Sequence, residues 1–151
     1  MTTTITASAV RPKVVALHDD LRTVVYERED VIAASLWALL SRTNFFLLGP
    51  PGTGKSWLLD QLVARIGQVC TFDYLLHAQS TAAELFGPPD ILHFKATGEW
   101  RHATDGTLAG ADIARLREIW KGGTGVLNAM LDALLEHTMR QGKQTITIPL
   151  A

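Results

Sequence analysis

Hydrophobic and polar positions follow two different periods along this chain, and each period predicts one kind of element. Apolar residues spaced three and four apart indicate helices that bury one face. This spacing predicts four helices, at residues 13–25, 27–40, 57–66 and 126–139. Short runs of consecutive or alternating apolar residues indicate strands instead. Such runs predict four strands, at residues 45–48, 70–76, 112–119 and 144–150.

Shorter segments complete this pattern. Residues 1–12 are rich in threonine and offer little to bury, so we expect a disordered tail there. Ser80–Glu84 has the sequence of a capped helix start. Residues 91–103 resemble a β-hairpin with a glycine at its turn. Because strands and helices alternate, residues 13–151 are predicted to form an α/β domain.

Composition describes an ordinary folded domain. The 151 residues are 47% hydrophobic and 19% charged, and 14 basic against 15 acidic residues give a net charge of −1. This balance argues against nucleic acid as a partner. The most apolar stretch, Val31–Leu40, is too short to span a membrane, and the N-terminus shows no secretory signal pattern. We therefore expect a cytoplasmic protein, and its single cysteine excludes an internal disulfide.

The strongest candidate chemistry follows the first apolar run, in the sequence GPPGTGKS at Gly49–Ser56. It matches the phosphate-binding pattern G-x-x-x-x-G-K-[ST], whose glycines let successive backbone amides face one anion. The helix that follows adds its positive N-terminal end. Lys55 would reach the β- and γ-phosphates, and the hydroxyl of Ser56 would bind Mg²⁺. The sequence thus predicts a site for ATP or ADP with Mg²⁺, formed by Gly49, Pro50, Pro51, Gly52, Thr53, Gly54, Lys55 and Ser56.

Trp57 follows this motif directly and has two interpretations. As the next residue after the loop, it is a further nucleotide-binding candidate. Its spacing to Leu58, Leu62 and Ile66 is also that of a helix face packed in a core. The sequence alone leaves both interpretations open.

Several longer runs resemble the MoxR family of AAA+ ATPases, in particular its regulatory ATPase variant (RavA-like) branch. These runs are VYERE at 25–29, FFLLGPPGTGKS at 45–56, FDYLLHAQSTAAELFGP at 72–88, GEWR at 98–101 and GADIARLREIWKGGTGVLNAML at 110–131. The resemblance implies a P-loop NTPase of the AAA+ type, a three-layer α/β sandwich with a parallel sheet, here incomplete at the C-terminus. It also implies ATP hydrolysis, a hexameric ring as homo-oligomer, chaperone-like work and a partner protein that contains a von Willebrand factor A domain.

The same resemblance assigns residues outside the loop. Val25 and Tyr26 would lie near the adenine, and Glu118 would be the catalytic acid that polarises the attacking water. Pairing with a nearby arginine is the alternative role for Glu118. The hairpin predicted at 91–103 would be the insert in helix 2 that marks this group.

One position departs from the family pattern in a way that changes its chemistry. Where the family has an aspartate that helps to hold Mg²⁺, this chain has Arg117. At about 5 Å and an effective dielectric near 20, one unit-charge pair is worth roughly 3 kcal/mol, so an attraction becomes a repulsion of that order. Arg117 could instead bind the phosphates directly. Alternatively, it could share a solvated face with Arg115, two residues away on the same strand.

Two hypotheses about function follow. The first is a MoxR-type ATPase, and the second is a nucleotide-binding module without turnover that acts by assembly with intact family subunits. Arg117 favours the second hypothesis, because it removes a metal ligand. The chain also reaches only the start of the family's fourth strand, so the strand predicted at 45–48 would lack neighbours for its backbone groups.

Overall fold

The computed structural model describes residues 7–141 and 144–150, which form two compact units divided between Gln68 and Val69. The first unit contains three helices, α1 (Ala7–Val24), α2 (Glu29–Ser41) and α3 (Lys55–Ile66). The three helices predicted for this part of the chain are thereby confirmed. Their apolar faces meet in one core, because each helix carries its apolar residues at helical spacing. The fully buried members of this core are Leu21, Val25, Ile32, Leu36, Leu58 and Leu62.

The N-terminal helix begins earlier than the sequence predicts. Residues 7–12, which we expected within a disordered tail, form the first turns of α1. Pro12 lies inside this helix, where its ring removes one amide donor without ending the helix. Alanine and arginine at nearby positions favour helix, and they outweigh the polar character of the segment. The expectation for residues 1–6 lies outside the described residues.

The strand predicted at residues 45–48 is wrong. This segment lies in no helix or strand of the structure and leads directly into the loop that follows it. Phe46 and Leu48 are 60% and 81% exposed. A buried parallel strand needs a neighbour on each side for its amides and carbonyls. Among the described residues there are two two-stranded sheets, and neither includes this segment.

The second unit alternates strands and helices. Its elements are β1 (Thr71–Leu75), α4 (Ala82–Phe86), α5 (Ile91–Thr97), β2 (Ile113–Arg117), α6 (Thr124–Leu135), β3 (Thr138–Gln141) and β4 (Gln144–Thr147). Two 3-10 turns lie on either side of β2, at Leu108–Gly110 and Ile119–Lys121. Across the part of the chain that the structure describes, no helix combines the length and apolarity needed to cross a membrane.

Strands β1 and β2 pair in parallel, which confirms the two strands predicted here and the α/β class. Thr71 lies opposite Ile113, and the register continues to Leu75 opposite Arg117. Alternate residues of a strand point to opposite faces of a sheet. Phe72 accordingly packs into the core of this unit, whereas Asp73 lies on the other, more exposed face. The sheet therefore has one apolar face and one charged face.

Helix α4 begins at the predicted capped start. Thr81 is its N-cap, and the backbone amide of Thr81 donates to the Glu84 carboxylate over 3.2 Å. The Tyr74 hydroxyl of β1 donates to the same carboxylate. The bond from Tyr74, followed by the bond from the Thr81 amide, lowers the pKa of Glu84. The same bond to Glu84 raises the pKa of Tyr74. The Glu84 carboxylate thus links strand β1 to the start of helix α4.

The hairpin predicted at residues 91–103 is wrong, because residues 91–97 form helix α5. Asp90 caps this helix by accepting the His93 amide over 2.9 Å, and Gly98 ends it with a φ of 72°. Asp90 also accepts Arg101 Nη2 over 2.7 Å. An aspartate cap favours the start of a helix, and a glycine in the left-handed conformation favours its end. These two end signals stabilise a helix here, although the apolar residues between them also suit a strand.

The C-terminal elements differ from prediction in one place. Helix α6 ends at Leu135 rather than continuing to residue 139, since His137 takes a left-handed φ of 50°. Residues 138–141 form β3 instead, paired antiparallel with β4. The strand predicted at 144–150 is therefore confirmed in part, but it belongs to a separate antiparallel pair. A local helical pattern does not reveal this pairing, which depends on the residues of β4.

Candidate functional site

The glycine-rich loop between residue 48 and α3 is the candidate phosphate site. Gly52 and Gly54 both have a φ of 77°, a left-handed conformation that costs other residues energy. Gly54 is the N-cap of α3, and its carbonyl accepts the Leu58 amide over 2.9 Å. The first turn of any helix carries amides that point beyond the helix end. The start of α3 therefore offers backbone donors at the end of the loop, as an anion site requires.

Lys55 is the first residue of α3, and its side chain turns back over the loop. Its ammonium donates to the Gly49 carbonyl over 2.8 Å and to the Pro50 carbonyl over 2.6 Å. The Thr53 hydroxyl oxygen lies 3.3 Å from the same nitrogen. The ammonium is thus placed against the loop rather than extended into solvent. A phosphate bound by the loop would meet this charge directly.

The other predicted loop residues are exposed. Pro50, Pro51, Thr53 and Ser56 are all exposed to solvent, with Ser56 in the first turn of α3. A hydroxyl at this place can bind a divalent cation that is also bound by phosphate oxygens. The described residues contain no group of three or more His, Cys, Asp or Glu side chains arranged to hold a metal. The single hydroxyl of Ser56 fits an Mg²⁺ ion that phosphate oxygens also bind, and this role stays a prediction.

Trp57 does not pack in the core. Its side chain is 45% exposed, whereas Leu58 and Leu62 on the same helix are 6% and 5% exposed. The core interpretation of Trp57 is therefore wrong. A helix buries about one side, and Trp57 lies just beyond that side. Its assignment to nucleotide binding stays a prediction.

Val25 and Tyr26, assigned to the adenine, line a cavity of about 380 Å³ in the first unit. Val25 is 4% exposed and belongs to the core, while Tyr26 is 78% exposed. The cavity is lined by Asp19, Arg22, Thr23, Val25, Tyr26, Glu27 and Glu29. Three of these carry carboxylates against a single arginine, so the cavity suits an uncharged ring better than a phosphate.

Glu118, the predicted catalytic acid, has an unusual backbone conformation. It takes a φ of 55°, immediately after β2, and the 3-10 turn Ile119–Lys121 follows it. Its carboxylate pairs with Lys121 over 3.3 Å. The alternative prediction, that Glu118 pairs with a nearby arginine, is therefore wrong. The cation that it pairs with is Lys121, three residues along the chain. Left-handed conformations of non-glycine residues cost energy and are often found at functional sites.

Arg117 pairs across the sheet with Asp73. Its Nε lies 2.9 Å from Asp73 Oδ1, and Arg115 contacts the other carboxylate oxygen. Asp73 is directly opposite Arg115 in the register, and all three side chains share the charged face. The expectation of a solvated face holds only in part, because the two arginines share a carboxylate there. The signal in the sequence was the polar residue in the middle of the apolar strand TFDYL.

The predicted site residues therefore fall in two groups. The loop, Tyr26 and Trp57 belong to the first unit, and Glu118 belongs to the second. Within the first unit, the structure brings Lys55 onto the loop carbonyls. Within the second, it brings a carboxylate to Arg117 that sequence reasoning did not anticipate.

Known proteins resemble this chain in structure and in sequence. The crystal structure of a candidate ATPase from Cytophaga hutchinsonii matches with a TM-score of 0.66 and 16% sequence identity, over 93% of this chain and 43% of that one. Two uncharacterized proteins of Methanocaldococcus jannaschii, MJ0079 and MJ0812, are 30% and 31% identical to it. These alignments cover 95% and 89% of this chain but only 37% and 36% of those proteins.

The structural match shows an ATPase-type α/β fold, the class of protein to which the loop and the parallel strands point. A sequence model of the MoxR domain in the MoxR–vWA–β-propeller ternary systems matches residues 12–151. The chain belongs to this MoxR family of AAA+ ATPases, and the predicted resemblance is confirmed at the level of the family. It spans little more than a third of the length of its two archaeal relatives.

Proposed function

We propose that this chain binds ATP with Mg²⁺ at the loop Gly49–Ser56, as the nucleotide-binding part of a MoxR-type ATPase. The observation that carries the proposal is the position of the Lys55 ammonium, which donates to two backbone carbonyls of the loop. The left-handed Gly52 and Gly54 support it, since they turn the loop into the start of α3. Lys55 and the helix end would bind the phosphates, and Ser56 would contact the magnesium ion.

The remaining roles extend this proposal. Tyr26 would lie against the adenine, which suits the cavity beside it, and Trp57 would be near the nucleotide. Glu118 would orient the water that attacks the γ-phosphate, an assignment that its left-handed backbone supports. Enzymes that hydrolyse ATP act mainly by positioning the reactants and stabilising charge, with little covalent chemistry by the protein itself.

The family description supports proposals about partners. Because the matching family is defined by systems that contain vWA and β-propeller proteins, we propose a vWA-domain protein as partner. Assembly into a hexameric ring and chaperone-like remodelling of client proteins belong to the same proposal. Dependence on ATP supports work in the cytoplasm, where ATP is abundant.

Loss of the lysine charge tests nucleotide binding. Lys55→Ala should weaken binding of a fluorescent ATP analogue by about 10- to 100-fold, since charge-assisted hydrogen bonds contribute roughly 1.5–3 kcal/mol. Lys95→Ala, which removes an exposed lysine of α5 in the other unit, is the matched control and should bind normally. Equal affinity of the Lys55 variant and the wild type would contradict the proposed site.

A second function, nucleotide binding without turnover, is favoured by one observation. Arg117 occupies the position of a magnesium-binding aspartate and is engaged by Asp73. A guanidinium cannot ligate a cation, so hydrolysis should be impaired even where ATP binds. Phosphate release by the wild-type chain, measured at saturating ATP, separates the two functions. Release at rates usual for ATPases would exclude the non-hydrolysing alternative.

A further inference from the structure

The loop contains a hydrogen-bonded bridge that the phosphate motif does not specify. The Thr53 hydroxyl donates to the Pro50 carbonyl over 2.9 Å and lies 3.3 Å from the Lys55 ammonium. The same Pro50 carbonyl accepts that ammonium over 2.6 Å. One side chain therefore connects the first turn of the loop to the charge that would bind phosphate.

The bridge satisfies groups that the loop cannot satisfy by itself. Pro50 and Pro51 have no amide hydrogen, so neither can donate to a neighbouring carbonyl. A lysine ammonium has three donors, and here three oxygens receive them, from Gly49, Pro50 and Thr53. A hydroxyl can donate and accept at once, which is what a residue between a carbonyl and an ammonium must do.

We propose that Thr53 is a positioning residue, whose hydroxyl holds the Lys55 ammonium over the loop until a phosphate oxygen takes the place of one of its loop acceptors; this inference rests on the proposed nucleotide site. A free lysine side chain has many rotamers, and binding must select one of them. A lysine already held in place loses less freedom when the nucleotide arrives. Thr53 thus raises affinity through Lys55 and need not touch the nucleotide with its side chain.

The surroundings of Thr53 exclude a role in the core. Its side chain is exposed, so replacing its hydroxyl with a methyl group should change packing very little. Thr97 offers a matched control, because its hydroxyl donates to the His93 carbonyl over 2.9 Å and accepts the Glu99 amide over 3.1 Å. Thr97 belongs to the other unit, away from the loop sequence.

Titration of a fluorescent ATP analogue into the full chain tests the inference. Thr53→Val should weaken binding about 5-fold, the usual effect of one net hydrogen bond. Thr53→Ser should restore affinity to within about 2-fold of the wild type, and Thr97→Val should leave it unchanged. Tighter binding by Thr53→Val would overturn the proposal, since the hydroxyl would then restrain the lysine rather than present it.

A double-mutant cycle separates an effect through Lys55 from an effect on the loop alone. In a Lys55→Met background, Thr53→Val should cause no further loss, because the group that it positions is gone. An equal 5-fold loss in both backgrounds would overturn the inference while leaving the nucleotide site intact. If Lys55→Met itself binds as the wild type does, the proposed site fails and the inference fails with it. Should the double variant bind too weakly to titrate, the comparison of Thr53→Val with Thr53→Ser decides.

Discussion

At the scale of single residues, Asp73 explains how the second strand carries two arginines. Arg115 and Arg117 would repel each other on one face of β2 without a carboxylate between them. Asp73 accepts both, from the neighbouring strand, and all three side chains are partly exposed. The positive charge at position 117 is thus accommodated by a partner that the adjacent strand supplies. An aspartate at this position would bring two carboxylates together.

The prediction at this scale concerns that coupling. Asp73→Asn should lower stability by about 1 kcal/mol, the upper range for an exposed ion pair, with a fall of about 2–4 °C in Tm. Arg117→Asp should cost more in the wild type than in the Asp73→Asn background, because only the former brings like charges together. Thermal unfolding of the four chains measures the coupling, with Asp132→Asn on α6 as a control. Strictly additive losses would show that the two residues do not interact.

The same cycle bears on catalysis. If the missing aspartate is the lesion, the chain with both Asp73→Asn and Arg117→Asp should release phosphate faster than the wild type. Adding Glu118→Gln should then abolish the gain, since a neutral amide cannot polarise the attacking water as a carboxylate does. A gain that survives Glu118→Gln would remove Glu118 from the proposed mechanism.

At the scale of elements, short helices are fixed by their ends rather than by their interiors. Helix α4 has five residues and α5 has seven, too few for helix propensity alone to stabilise them. Each is held by a carboxylate at its start, Glu84 for α4 and Asp90 for α5. The His93 amide, followed by Arg101, lowers the pKa of Asp90. Both carboxylates therefore stabilise the fold only while they are ionised.

The prediction at this scale is a dependence of stability on pH. The pKa of Glu84 is lowered in the folded chain, so its contribution is present above the ordinary glutamate pKa of about 4.3 and is lost as pH falls through the folded value. Glu84→Gln keeps an acceptor for the Thr81 amide but has no charge. It should lower Tm at pH 7 and converge with the wild type once the pH has fallen below the pKa of Glu84 in the folded chain.

Glu99→Gln, an exposed glutamate after α5, is the control for that measurement and should follow the wild type at every pH. A constant difference in Tm between Glu84→Gln and the wild type across this range would show that the charge of Glu84 contributes nothing. The expected difference is instead full above the ordinary glutamate pKa and shrinks over the pH range in which the folded chain keeps Glu84 ionised and the unfolded chain does not.

At the scale of the whole molecule, apolar side chains divide between two separate cores and an exposed segment. The first core is built from helices, and the second is built around β1, β2 and α6. Residues 45–48 join neither core, although they form one of the most apolar runs of the sequence. Exposed apolar runs of this kind are common at surfaces that another segment or protein covers.

The prediction at this scale compares that segment with a core. Leu48→Gln should change the free energy of unfolding by less than about 0.5 kcal/mol, because Leu48 is 81% exposed. Leu62→Ala, at 5% exposure, should cost about 2–5 kcal/mol through lost burial and a cavity. Denaturant unfolding measures both. A loss above 2 kcal/mol for Leu48→Gln would mean that the segment is buried as a strand.

Much of the fold and the loop could be predicted because the signals are local. The turn residues of Gly49–Ser56, the cap at Thr81 and the apolar runs of β1 and β2 each act within a few positions of the chain. The hairpin expected at 91–103 failed for a local reason too, since Asp90 and Gly98 were not weighed as the ends of a helix. The helix predicted at 126–139 ended too late because a helical period also fits residues 136–139, whereas their pairing with β4 is set by residues beyond that window.

The sequence by itself determined the glycine-rich loop, the alternation of strands and helices, and membership of the MoxR family, because backbone turns, caps and motif spacing depend on neighbouring residues. Only the tertiary structure decided two other features: the pairing of Arg117 with Asp73 and the exposure of residues 45–48. Each of these depends on which groups meet in space and which backbone donors and acceptors find partners. Distance along the chain carries no such information.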